Sequence, residues 1–217
     1  MKTSIMTLIL SACALGMNAQ ALKQQGKSAE QIVPKGWEHK EAVGDLNKDG
    51  IKDLVVLAKP NFKENMKTRD DGYVYNFNRP QLAIYFGDAS GDFVLFKKYD
   101  ELIPAREEYM TVETSLDINA KGILRIGVST FMTAGGATTG GPTYVFRYQD
   151  GDFFLIGKDE TELSRYSGET TDTSENYLTH KRQVTTGNAF RNSKVKEVTR
   201  WTNLPKEPLK RLGEFEM

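Results

Sequence analysis

The run Asp45-Leu46-Asn47-Lys48-Asp49-Gly50-Ile51-Lys52-Asp53 carries oxygen-bearing side chains at its first, third, fifth and ninth positions, with a glycine at the sixth. Alternating residues of a tight loop turn their side chains toward a common point. Oxygens gathered in this way suit a hard divalent cation, which takes about six to eight of them. Gly50 permits a backbone bend that a Cβ would resist. Ile51 has no ligating side chain and would offer its carbonyl. The predicted set is therefore Asp45, Asn47, Asp49, Ile51 and Asp53, with three formal negative charges. Ca²⁺ fits such a set better than Mg²⁺, which keeps more of its own water.

The flanking elements decide which kind of loop this is. A helix–loop–helix calcium site needs a glutamate at position twelve and a helix on either side. Position twelve here is Val56, inside Leu54-Val55-Val56-Leu57, which reads as a buried strand. Downstream, the apolar residues recur with period two. Leu82, Ile84 and Phe86 share one face; so do Val112, Thr114, Leu116 and Ile118; so do Leu124, Ile126 and Val128. That period marks half-buried antiparallel strands. Turn residues separate the runs at Asp88–Gly91, Asn119–Gly122 and Asp150-Gly151. The predicted fold is mainly β, an antiparallel meander of hairpins. Short helical turns are expected near 100–109 and 159–165, and Thr133–Pro142 is expected to be a flexible glycine-rich loop.

The loop and its strands resemble the FG-GAP or VCBS repeat, the calcium-loop repeat of integrin-type β-propeller blades. Gln81-Leu82-Ala83-Ile84-Tyr85-Phe86-Gly87-Asp88-Ala89-Ser90-Gly91-Asp92-Phe93 is similar to the second half of that repeat. The resemblance covers residues 37–99, with an insertion from Pro60 to Pro80, and implies a propeller-blade-like unit in one copy. A second resemblance, to exported bacterial proteins of unassigned activity, rests on Tyr144-Val145-Phe146-Arg147-Tyr148-Gln149-Asp150-Gly151-Asp152-Phe153-Phe154-Leu155-Ile156-Gly157 and on Ser174-Glu175-Asn176-Tyr177-Leu178-Thr179. It implies a bacterial envelope or secreted setting and brings no catalytic residues.

Other chemistries find less support. The segment Thr133–Pro142 lacks the Gly-Lys-Ser/Thr ending of a phosphate loop, and no Gly-x-Ser-x-Gly frame occurs. His39 and His180 are the two histidines, without metal-site spacing between them. Glu107-Glu108 and Asp159-Glu160 are adjacent acids and read as solvated charges. Tyr73, Tyr75 and Phe77 fall in the insertion, either as an aromatic platform or as an added strand.

The ends and the composition set the context. Residues 1–21 read as a signal peptide: Lys2, the apolar stretch Ile5–Leu15, then Ala19-Gln20-Ala21. The alternative is a lipobox, Leu10-Ser11-Ala12-Cys13, with Cys13 as a lipid anchor. Cys13 is the one cysteine, so cleavage after it would leave no disulfide and no thiolate site. The 29 basic and 29 acidic residues balance, which argues against nucleic acid as a partner. No transmembrane segment is expected. The predicted organisation is a mobile lead-in at 22–36, a mainly-β domain at 37–191 and a surface-lying tail at 192–217. The expected role is an exported, periplasmic or extracellular calcium-binding module for a protein or glycan ligand. The alternatives are an envelope hydrolase with a cleft walled by 60–80 and 133–142, and a periplasmic protein inhibitor.

Overall fold

Because Leu54-Val55-Val56-Leu57 has no polar position, a strand made from it must be covered on both faces. The computed structural model, which describes residues 20–70, 72–132 and 135–217, covers it in that way. In chain order the elements are β1 (Gln25–Gly26), α1 (Ala29–Ile32), β2 (Glu38–Gly44), β3 (Asp53–Lys59), β4 (Met66–Thr68), β5 (Val74–Asn76), β6 (Gln81–Gly87), β7 (Phe93–Tyr99), β8 (Met110–Ile118), β9 (Ile123–Met132), β10 (Thr138–Gln149), β11 (Asp152–Ser164), β12 (Glu169–Asn176), β13 (Lys181–Asn188) and β14 (Val198–Asn203). The protein is mainly β, as the period-two pattern predicts.

Two antiparallel sheets carry the fold. The first has strand order β1-β7-β6-β3-β2, so β2, β3, β6 and β7 form a four-stranded meander. The insertion between β3 and β6 folds as a separate hairpin, β4 with β5. The second sheet is a continuous meander from β8 to β14. The turns fall where the sequence places them: Asp88–Gly91 joins β6 to β7, Asn119–Gly122 joins β8 to β9, and Asp150-Gly151 joins β10 to β11. Asp150 and Gly151 take φ of 50° and 78°, the positive values a tight hairpin needs.

The core lies between the sheets. Val55, Leu57, Leu82 and Ile84 from the first sheet meet Leu124, Ile126, Phe146, Phe153 and Leu155 from the second. The opposite face of the first sheet presents Leu54, Val56, Ala58, Ala83 and Tyr85. These pack against Leu22, Ala29, Ile32, Val33 and Trp37. That second cluster changes the account of residues 22–36. Read from sequence as a mobile lead-in, the segment is built into the fold. Leu22 and Ile32 are buried, β1 pairs with β7, and the Tyr85 hydroxyl donates to the Lys23 carbonyl at 3.0 Å.

The expected tail at 192–217 differs likewise. Val198–Asn203 is the last strand of the second sheet. The chain then straps back across β11: the Leu155 amide donates to the Lys210 carbonyl, and the Leu212 amide to the Phe153 carbonyl. Leu212 is buried in the main core, and Phe215 packs on Tyr144 and Phe146. Four apolar residues spaced along a charged segment (Leu204, Leu209, Leu212 and Phe215) gave no periodic signal, yet Leu212 fills a hole between the sheets.

Two local expectations are also corrected. Residues 159–164 continue strand β11 rather than forming a helical turn, because β10 and β12 pair with them on both edges. Thr138–Pro142 belongs to β10 rather than to a flexible loop. Its glycines let neighbouring backbone close in: a Cβ on Gly140 would sit 1.9 Å from the Thr161 carbonyl oxygen. Of the segment read as a signal peptide, residues 1–21, only Gln20 and Ala21 are described; Cys13 falls outside the described residues, as do Thr133 and Ala134 of the glycine-rich segment.

Candidate metal centre

The loop 45–52 joins β2 to β3 at one end of the sheet junction. β2 also runs beside β8 of the second sheet, so the loop sits where the two layers meet. Lys48 and Gly50 both take left-handed φ, 64° and 88°, which folds the loop back on itself. Three of the predicted side chains then bond within the loop. The Gly50 amide donates to Asp45 Oδ2 at 3.0 Å and the Ile51 amide to Asp49 Oδ1 at 2.7 Å. The Asp49 amide donates to Asn47 Oδ1 at 3.1 Å, and Asn47 Nδ2 to Asp49 Oδ2 at 2.9 Å. Asp45, Asn47 and Asp49 thus each accept a backbone amide of this same loop.

Asp53 is placed differently from the other acids. It is fully buried. Its Oδ2 accepts the Leu46 amide at 2.7 Å and the Asn47 amide at 3.4 Å, while Oδ1 accepts the Gly87 amide at 3.0 Å. It thus closes the loop onto its own strand and onto the end of β6. Burial pushes the Asp53 carboxyl above the ordinary carboxylate range. The three amides pull it back down and the Asp49 charge pushes it up, leaving it raised. A carboxylate accepts about four hydrogen bonds or ligand contacts, so three amides leave it little spare capacity.

One oxygen in the loop has no partner. Asp45 Oδ1 is buried and accepts no hydrogen bond among the described residues. Buried polar atoms are nearly always satisfied, and an orphan calls for an ion, a water or a strain explanation. A hard cation between Asp45, Asn47 and Asp49 would satisfy it, so the residues present fit the ion that their spacing implies.

Compared with known proteins, the chain matches no family model, no curated protein and no solved structure.

A second group of donors was not foreseen from sequence. Glu30 on α1 and His39 and Glu41 on β2 bring their ligand atoms within 4.8 Å of one another, all three being exposed. Among the described residues this is the one group of three or more His, Cys, Asp or Glu that close. Asp45, Asp49 and Asp53 do not form such a group. His39-x-Glu41 on a strand puts both side chains on one face, which was legible. The approach of Glu30 was not, because it depends on α1 packing against that face. His180 lies elsewhere, at a positive-φ position before β13.

The remaining candidates are dispersed. Tyr73, Tyr75 and Phe77 line up on the separate hairpin, with ring centroids 4.8 Å and 6.3 Å apart, and do not extend either main sheet. Pro80 lines a cleft with β2, β3 and β8. Thr138 to Pro142 line a different hollow, with Val128, Glu160 and Glu162. The Ser174–Thr179 stretch contains Glu175, which accepts from the Tyr177 hydroxyl at 2.6 Å and from Arg182 Nε at 2.6 Å. Burial pushes the Glu175 carboxyl up, but these two donors and the Arg182 charge outweigh it and hold it below its ordinary value.

Proposed function

We propose that the protein is an exported calcium-binding β protein that works as a binding or interaction module at the bacterial envelope. The observation that carries the calcium reading is Asp45 Oδ1, a buried carboxylate oxygen without a donor, at the first position of a loop with oxygens at one, three, five and nine. Asp45, Asn47 and Asp49 would hold the ion through side chains, Ile51 through its carbonyl, and Asp53 through what its amide bonds leave. Ca²⁺ would supply charge neutralisation for the acids of the loop and a cross-link at the sheet junction. The resemblance to a calcium-loop repeat supports the same reading. So does the four-stranded meander, in which β2 and β3 flank the loop as two adjacent strands.

The module reading rests on surface chemistry. Tyr73, Tyr166 and Trp201 are large, exposed aromatics at 61%, 75% and 63% of full accessibility. Aromatics with a polar tip are common recognition groups for proteins and glycans. Among the described residues no helix is long and apolar enough to cross a membrane.

The test is thermal melting in Ca²⁺ and in EDTA. An ion in hundredfold excess over its Kd adds about 2.7 kcal/mol, and for a chain of this size each kcal/mol moves Tm by about 2–4 °C. The expected outcome is a rise of several degrees in the wild type and none in Asp49→Ala. Identical wild-type melting in both conditions would refute the calcium site.

A further inference from the structure

We infer that the cleft between β2, β3 and β8 is a binding site for a small organic anion, with an oxygen-rich head held by Lys59 and Arg106 and an apolar body against Leu57, Pro80, Pro104 and Val112. The cleft has a volume of about 500 Å³, within the about 300–1,000 Å³ usual for small-ligand sites. It is separate from the calcium loop, none of whose residues lines it, so the inference stands without the metal.

The charges carry the argument. Lys59 is the last residue of β3 and is half-buried, yet it makes no ion pair or hydrogen bond through its ammonium among the described residues. Burial pushes its ammonium below the ordinary lysine range; the nearby Arg106 adds to this and Glu38 opposes it. An ammonium partly stripped of water and without a hydrogen-bond partner is destabilising, and an incoming anion would supply that partner. Arg106 lies on the same cleft. Its guanidinium is stacked 4.0 Å from the Tyr75 ring centroid, and its Nε donates to the Glu107 carbonyl at 3.4 Å. Its two terminal nitrogens make no hydrogen bond among the described residues. A guanidinium fixed by stacking presents that fork ready-made for a carboxylate or phosphate.

The third cation, Lys40, is already used. Its ammonium donates to the Thr114 carbonyl and so ties β2 to β8 at the cleft wall. Glu38 and Glu113 also line the cleft and are exposed. Glu38 lies opposite Lys59 across the strand pair but forms no ion pair with it. These two acids favour a compact anionic head over a polyanion. The apolar wall favours a head that carries a hydrocarbon portion.

The probes are hexanoate, inorganic phosphate and neutral hexanamide, each titrated at millimolar concentration while the amide and methyl resonances of Leu57, Lys59 and Val112 are followed by NMR. Hexanoate should shift these signals saturably, phosphate should do so more weakly, and hexanamide should leave them in place. Charge-assisted bonds of this kind are worth about ten- to hundredfold in affinity; Lys59→Met should lose that factor and Lys59→Arg should keep most of it. Phosphate binding more tightly than hexanoate would assign the head to phosphate chemistry and keep the site. Melting of Lys59→Met reports on folding, and its Tm should equal or exceed that of the wild type, since a desolvated charge has been removed. The inference fails if neither anion shifts the cleft resonances, if hexanamide acts as hexanoate does, or if folded Lys59→Met binds unchanged.

Discussion

The brace between the candidate calcium loop and the second sheet is open to a direct test at Gly122, in the turn from β8 to β9. Its φ is +70°, and a Cβ built there would lie 2.4 Å from the Asp45 carbonyl oxygen. An ordinary carbon–oxygen contact is about 3.3–3.6 Å, so Gly122→Ala forces a shift of roughly 1 Å against backbone on both sides. Two costs arise. Alanine in the left-handed region costs about 1–2 kcal/mol, and forcing added bulk into a closed contact costs about 1–3 kcal/mol. Gly91, in the turn from β6 to β7, separates them. Its φ is +80°, and nothing lies within 4 Å of a Cβ built there. Gly91→Ala should therefore show the conformational cost alone. At about 2–4 °C per kcal/mol, calorimetry should place the Tm of Gly122→Ala lower than that of Gly91→Ala by several degrees. The displaced atom belongs to Asp45, so the Ca²⁺-dependent rise in Tm should also shrink in Gly122→Ala and persist in Gly91→Ala. Equal melting of the two variants would refute the brace, and an undiminished calcium response in a destabilised Gly122→Ala would refute its link to the ion.

Further outcomes follow from the same contacts. Leu212→Ala should lower stability by about 2–5 kcal/mol, the cost of truncating a buried leucine, read from the denaturant midpoint; a change under about 0.5 kcal/mol is what a surface residue gives and would undo the strap. Tyr85→Phe removes the bond to the Lys23 carbonyl and should cost about 0.5–1.5 kcal/mol, with faster proteolysis around residues 22–36; unchanged cleavage there would show that the bond does not pin the segment. Glu175 is held below its ordinary range when folded, so its contribution is present above the unfolded carboxyl value and lost as pH falls through the folded one. Wild type should therefore melt higher than Glu175→Gln at neutral pH, with the gap closing in acid below about pH 4; a gap independent of pH would point to packing instead.

Much of the fold could be read along the chain because the signals involved are local. Alternating faces in β8 and β9, the Asp150-Gly151 hairpin and the buried run of β3 depend on a residue's own backbone preferences and its nearest neighbours. The candidate loop was legible for the same reason, since its acids, its amide and its glycine alternate within one nine-residue stretch. What the chain alone did not disclose lies in contacts between distant segments. That Asp53 gives its oxygens to amides depends on Gly87, at the end of another strand. That Glu30 meets His39 and Glu41 depends on α1 covering the second face of β3. The capture of Leu212 by the core, and the unpaired Lys59 beside Arg106, come from the way two sheets close on each other. Period and turn chemistry say which face of a strand is apolar; they do not say which other face will cover it, and burial, orphaned oxygens and desolvated charges arise only once that covering is made.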